Sequence, residues 1–153
     1  MYPLTKEFIK NNSSLINRED WKPFYKELNK SDIDYKVKGE INKVLLDSGI
    51  NPLLNFDRVP SYFLEGADFE DFKIPEGVKY IIKNAIHNSS IGVLYLPNSL
   101  LSIDESAFNT SSIYTLIYNG TKEEWGEIML ELEWDLGIRS FEVHCIDGVV
   151  DIR

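Results

Sequence analysis

FKIPEGVKYIIKNAIHNSSIGV (residues 72–93) runs directly into LYLPNSLLSIDESAFNTSSIYT (residues 94–115), and the two stretches read as copies of one pattern. Six positions are identical between them: Pro75 and Pro97, Ile81 and Ile103, Ala85 and Ala107, Ser89 and Ser111, Ser90 and Ser112, Ile91 and Ile113. Other positions exchange one apolar residue for another, as in Ile74/Leu96, Val78/Leu100 and Ile86/Phe108. A period in the low twenties with apolar anchors marks a stacked array, because each unit buries its oily side only against a neighbour. The same step backward puts Val59 under Ile81, Leu64 under Ile86, Phe69 under Ile91 and Phe72 under Leu94. Forward, it reaches Leu116 and Tyr118 and stops. The repeat therefore covers residues 59–120, roughly two and a half to three coils, with a different segment on each side to cover the ends.

Each coil divides into two halves. FEDFKIP (69–75), GVLYLP (92–97) and YTLIYN (114–119) alternate apolar with polar residues and predict strands, the first two stopped by a proline that cannot donate to a ladder. KNAIHNSS and DESAFNTSS predict turn or short helical returns. Strands joined by crossovers of this length should lie parallel and in register. Ala85 and Ala107 are expected where the coil turns inward and room is scarce.

This line of residues resembles the BspA-like (Treponema-type) leucine-rich repeat family, whose coils run L-x-x-(I/V)-x-I-P-x-x-(V/L)-x-x-I-x-x-x-A-F-x-x-(C/S)-x-x-L. The segments FKIPEGVKYIIKNAIHNSSIGVL and LYLPNSLLSIDESAFNTSSIYTL follow it closely; Ile86 stands where the family has Phe, and a Ser pair replaces Cys-Ser. LIYNGTKEEWGEIM and the following WDLGIRSFEVHCIDGVV look like the C-terminal cap of such arrays. The resemblance implies an α/β solenoid with parallel strands and a non-catalytic binding surface, of a kind found in bacterial surface proteins, protists and phage genomes. It implies no catalytic residue and no cofactor.

The flanks read differently. In residues 1–58, Trp21, Phe24, Tyr25 and Leu28 fall on one helical face, with Asp20 as N-cap and Pro23 in the first turn. Val37, Ile41, Val44 and Leu45 repeat the spacing before Gly49 and Pro52 stop it, and a shorter helix is expected around Phe8 and Ile9. These helices predict an N-terminal cap; a separate partner-binding helical domain is the alternative. In residues 121–153, Thr121 and Glu124 form a T-x-x-E capping box. Trp125, Ile128, Met129 and Leu132 stripe the helix expected to follow. FEVHC, the Asp147-Gly148 turn and VVDI predict a hairpin. The C-terminal cap is thus a helix plus a hairpin, with Trp125 and Trp134 as packing anchors.

Charge narrows the partners. The 153-residue chain carries a formal net charge of −9, unevenly spread: residues 1–58 have ten Lys/Arg against nine Asp/Glu, residues 59–153 six against sixteen. Nucleic-acid binding needs a basic footprint, which the chain lacks. Residues 1–16 hold no apolar stretch of the signal-peptide kind and no run is long enough to span a bilayer, so a cytoplasmic protein is expected, away from membranes. A single cysteine rules out an internal disulfide.

Enzymatic motifs are absent from the sequence. His144 and Cys145 are strand neighbours whose side chains should point to opposite faces, which defeats a Cys–His dyad. His87 lies in a turn without further zinc donors, and Asp104 and Glu105 read as turn caps. The expected activity is protein binding through the strand-bearing face, with Lys73, Tyr95, Tyr114 and Thr115 facing outward between buried anchors. The acidic C-terminal segment adds Glu123, Glu124, Glu127 and Glu131, either as a solvated face or as a contact for a basic partner. Two rival expectations are a phage-encoded inhibitor of a host defence enzyme, acting through that acidic surface, and a structural component of a phage or surface assembly.

Overall fold

Short apolar pairs and triplets separated by turn-forming residues can make only short strands. The computed structural model, which describes residues 35–47, 49, 51–54 and 56–152, consists mostly of them. Among the described residues two helices accompany the strands: α1 (Tyr35–Asp47) and α2 (Lys122–Gly126). In chain order the strands are β1 (Arg58–Val59), β2 (Leu64–Glu65), β3 (Asp68–Lys73), β4 (Tyr80–Ile81), β5 (Ile86–His87), β6 (Ser90–Leu96), β7 (Ser102–Ile103), β8 (Ser112–Tyr118), β9 (Met129–Leu130), β10 (Glu142–Cys145) and β11 (Gly148–Asp151). They form three sheets, ordered β1-β4-β7-β9, β2-β5 and β11-β10-β8-β6-β3. Every pairing is parallel except the β10–β11 hairpin.

The pairing register repeats the period of the sequence. Val59 faces Ile81 and Ile81 faces Ile103; Leu64 faces Ile86; Phe72 faces Leu94 and Leu94 faces Leu116. All of these side chains are buried. Like residues stacked at one spacing form continuous apolar columns, and each fully buried Ile, Leu or Val contributes roughly 1.5–3 kcal/mol. Between columns the chain bends twice per period. Tyr62, Asn84, Ser106 and Glu133 all adopt positive φ, as do Gly66, Asn88, Thr110 and Gly137.

Ser89 and Ser111, buried at 4% and 2% exposure, are the polar counterpart of the columns. The Ala67 N–H donates to Ser89 Oγ and the Ser89 N–H donates to Ser111 Oγ, while the two hydroxyls donate to the carbonyls of His87 and Ile86. Each serine thus satisfies a backbone donor one period away that would otherwise be buried without a partner.

Beyond Tyr118 the strand pattern continues where the sequence match had ended. β9 joins β7 with Ser102 opposite Met129 and Ile103 opposite Leu130, and β10 joins β8 with Leu116 opposite Val143. These partners lie 27 positions apart, so five extra residues enter this turn of chain, the length of α2. Trp134 falls in the column of Phe63, Ala85 and Ala107, as the backbone bonds Tyr62 N–H to Asn84 O, Asn84 N–H to Ser106 O and Ser106 N–H to Glu133 O define it. The two interior positions of that column are small and the two outer ones large.

Two expectations are corrected here. The apolar stripe on the second helix does not form: α2 ends at Gly126, and Met129 and Leu132 are 67% and 86% exposed. Ile128 and Trp125 alone turn inward, because pairing with β7 draws Met129–Leu130 into a strand. The repeat does not stop near residue 120, since residues 121–145 contribute β9 and β10 to the same two sheets.

At the other end α1 stops at Asp47, and Gly49, at φ 82°, donates its N–H to Leu46 O. Ile41 and Leu45 are fully buried. α1 packs on β2 at Gly39, where a Cβ would sit 2.5 Å from Glu65 Cβ, and Asn42 Nδ2 donates to Phe63 O. The expected helices bearing Phe8 and Ile9 and bearing Trp21, Phe24, Tyr25 and Leu28 lie outside the described residues, as do the side chains of Val37 and Val44.

Candidate functional site

Strand alternation determines what the five-stranded sheet offers to solvent. In β6 the side chains of Ile91, Leu94 and Leu96 are buried, leaving Val93 and Tyr95 to face outward. Because the strands are in register, outward residues line up across the sheet. Lys73 faces Tyr95, Tyr95 faces Ile117, and Ile117 faces His144, making one row across four strands. Asp71, Val93 and Thr115 make a second row beside it.

The first row forms one wall of a groove of about 480 Å³. The residues that leave the strand ends, Pro75, Pro97, Asn119 and Ile146, line it as well, together with Glu76. The prolines have no N–H to offer and so end the ladders here, which opens the groove. Its volume lies within the general range of ligand-binding clefts.

Electrostatics at the rim are organised. Lys73 Nζ lies 5.1 Å from the centre of the Tyr95 ring, a cation–π distance. Among the described residues no carboxylate lies within ion-pair distance of Lys73. The Glu76 carboxylate accepts from the Asn98 N–H at 2.8 Å, the Ser99 N–H at 3.2 Å and Asn119 Nδ2 at 2.9 Å. Burial works to raise its pKa, but the bonds from Asn119, Asn98 and Ser99 outweigh it and hold the group below its ordinary value. Glu124 is likewise held low, by Asn98 Nδ2 at 2.8 Å and by the Thr121 backbone and hydroxyl.

The residues expected to bind a partner therefore separate. Lys73 and Tyr95 line the groove. Thr115 lies in the adjacent row, and Tyr114, 57% exposed, sits on β8 away from it. Glu123 and Glu127 are exposed on and just after α2. Glu124 is committed to the capping box and to Asn98, and Glu131 accepts from the Glu105 N–H at 3.4 Å. The four glutamates are thus not a uniform acidic face. Ile117 continues the 22-residue spacing of Lys73 and Tyr95 and was legible on that ground. His144 was not, because its strand joins at a different offset.

His144 and Cys145 both border the groove, and no hydrogen bond joins them. His144 Nε2 instead lies 3.6 Å from Glu142 Oε1. Burial, aided by Asp147, pushes the Cys145 thiol above its ordinary pKa, the wrong direction for a nucleophile at neutral pH. His87 Nδ1 meets Glu65 Oε2 one period away and its ring packs edge-on against Tyr62. Among the described residues no group of three or more His, Cys, Asp or Glu is placed to hold a metal ion, and no helix is long and apolar enough to cross a membrane. Comparison of the chain with protein-family models, with curated proteins and with solved structures finds no match.

Proposed function

We propose that this chain is a short leucine-rich-repeat solenoid of the BspA-like type, closed at both ends, which binds a protein partner and catalyses no reaction. The solenoid reading is supported by three sheets, parallel apart from the β10–β11 hairpin, whose interior partners in β1 to β8 recur at the period of the sequence, and by bends that recur at corresponding positions. In this reading residues 121–153 are both the last, enlarged coil and its cover. The hairpin strand β11 takes the sheet edge that β10 would otherwise leave open.

The observation that carries the binding function is the groove crossed by the row Lys73–Tyr95–Ile117–His144. Tyrosine is favoured at protein interfaces because it offers a large contact area for little lost rotamer freedom. Tyr95 is half-buried on the outer face and lies outside the apolar columns, so packing alone does not account for it. The strand face is favoured over the acidic segment because Glu124 already serves the fold.

The test is capture of partners from the native host by the wild-type chain and by Tyr95→Ala, identified by mass spectrometry, with melting temperatures measured alongside. The reading predicts a partner that the variant loses while its melting temperature stays within about 2 °C, the scale of a surface change. A variant that keeps the partner but melts much lower would assign Tyr95 to packing.

A further inference from the structure

We propose that the groove receives an extended segment of a partner protein in which arginine or lysine side chains flank aliphatic ones. This rests on the protein-binding reading above and names the chemistry of the partner. The walls supply the aliphatic half of the match: Pro75, Pro97, Ile117 and Ile146 line the groove together with Tyr95, and Ile146 is 69% exposed.

The rim supplies the charge half. Asp71 lies two residues before Lys73 on the same outward face, and Glu142 stands in the same relation to His144. Glu76 and Glu124 face each other across Asn98, which donates its N–H to the first and its Nδ2 to the second. Both are carboxylates at neutral pH, and the hydrogen bonds from Asn98, Asn119, Ser99 and Thr121 fix where those charges lie. At the far end Asp147 accepts from the Lys122 N–H, and the Lys122 side chain lies beside Gly148, so a cation and an anion stand close together there. Among the described residues, the carboxylates of Asp71, Glu76, Glu124 and Glu142 thus stand against the ammonium of Lys73 and the ring of His144, which lies 3.6 Å from Glu142.

Lys73 also shows what the groove's aromatic wall accepts. Its ammonium sits over Tyr95 with no carboxylate among the described residues within ion-pair distance, occupying the position that an incoming guanidinium would take. Lys73 is then a resident competitor, and removing its charge should tighten binding of a basic segment. A site built for acidic segments would respond in the opposite sense.

The experiment titrates the full chain, labelled for NMR at backbone amides and isoleucine methyls, with the acetylated and amidated peptide GRLRLRG. Its counterparts GELELEG and GQLQLQG serve as charge controls. The expected result is saturable shifts at Tyr95, Ile117 and Ile146 with the arginine peptide, and affinity at least about tenfold weaker for the glutamate peptide. Binding should weaken several-fold between about 0.05 M and 0.5 M salt, as screening shortens the reach of the rim charges. Asp71→Lys should weaken it about three- to tenfold and Lys73→Gln should strengthen it, both at exposed positions where folding is not at stake. Tyr114→Ala, on the same sheet but outside the groove, should leave it unchanged.

Equal or tighter binding of the glutamate peptide, or loss of binding in Lys73→Gln, would overturn the basic-segment inference while leaving a protein-binding face in place. Shifts confined to residues outside the groove, or no shift with any of the three peptides, would overturn it as well. Failure of the broader reading has a separate signature: no partner captured from the host depends on Tyr95.

Discussion

Replacing Ala107 by leucine probes the stacking directly. Ala107 is fully buried, its carbonyl accepts the Ile86 N–H, and its column neighbours are Ala85 on one side and Trp134 on the other. The added isobutyl carbons have no solvent to enter, since Ile86, Phe108 and Ile103 nearby are also fully buried. Over-filling a close-packed interior forces off-rotamer side chains and costs about 1–3 kcal/mol. In a domain of this size each kcal/mol lowers the melting temperature by about 2–4 °C, so a fall of about 2–12 °C is expected. Urea unfolding followed by tryptophan fluorescence reads the same loss as a lower midpoint at unchanged m-value. Trp134→Ala is the companion variant. At the outer position of the same column it removes bulk, leaves a cavity and should cost about 3–5 kcal/mol. A melting temperature unmoved by Ala107→Leu would refute the column, and with it the stacking register on which the binding row depends.

Three further outcomes follow from particular contacts. Ser111→Ala removes the acceptor of the buried Ser89 N–H and should destabilise by about 1–3 kcal/mol in denaturant titration, whereas a loss below about 0.5 kcal/mol would mean that the serine column is not structural. Gly137 has φ 97°, and a Cβ there would meet Phe108 O at 2.1 Å, so Gly137→Ala should lower stability by at least about 1–3 kcal/mol; a neutral result would contradict the turn geometry. Glu76 and Glu124 have folded pKa values below their ordinary 4.5, so their contribution is present above that pH and is lost as pH falls through the depressed values. Stability should therefore decline on acidification below about pH 4.5, less steeply in Glu76→Gln, and an unchanged slope in that variant would show that its hydrogen bonds carry no linkage.

The reading of the outward face shows where local pattern reaches and where it fails. Lys73, Tyr95 and Thr115 were found by alternation between buried anchors within strands, and Ile117 lies on the same spacing. Glu76 was missed because its role depends on Asn98, Ser99 and Asn119, residues from the next two turns of chain that only stacking brings to its carboxylate. Met129 and Leu132 were misplaced because a helical apolar stripe and a short strand followed by a turn present the same residues at the same spacing. Pairing with β7 decided between them.

The sequence by itself determined the period, the strand positions and the small-residue sites, since each is a local choice repeated: an apolar anchor, a proline stop, an alanine where the chain turns in, a serine where a backbone donor needs an acceptor. Only the tertiary structure decided that a further turn of chain, enlarged by the five residues of α2, carries β9 and β10 into the same sheets. It also decided that His144 completes the row begun by Lys73. The physical reason is that an insertion leaves the hydrogen-bond register of the sheets intact while erasing the spacing by which a reader of the chain would recognise it.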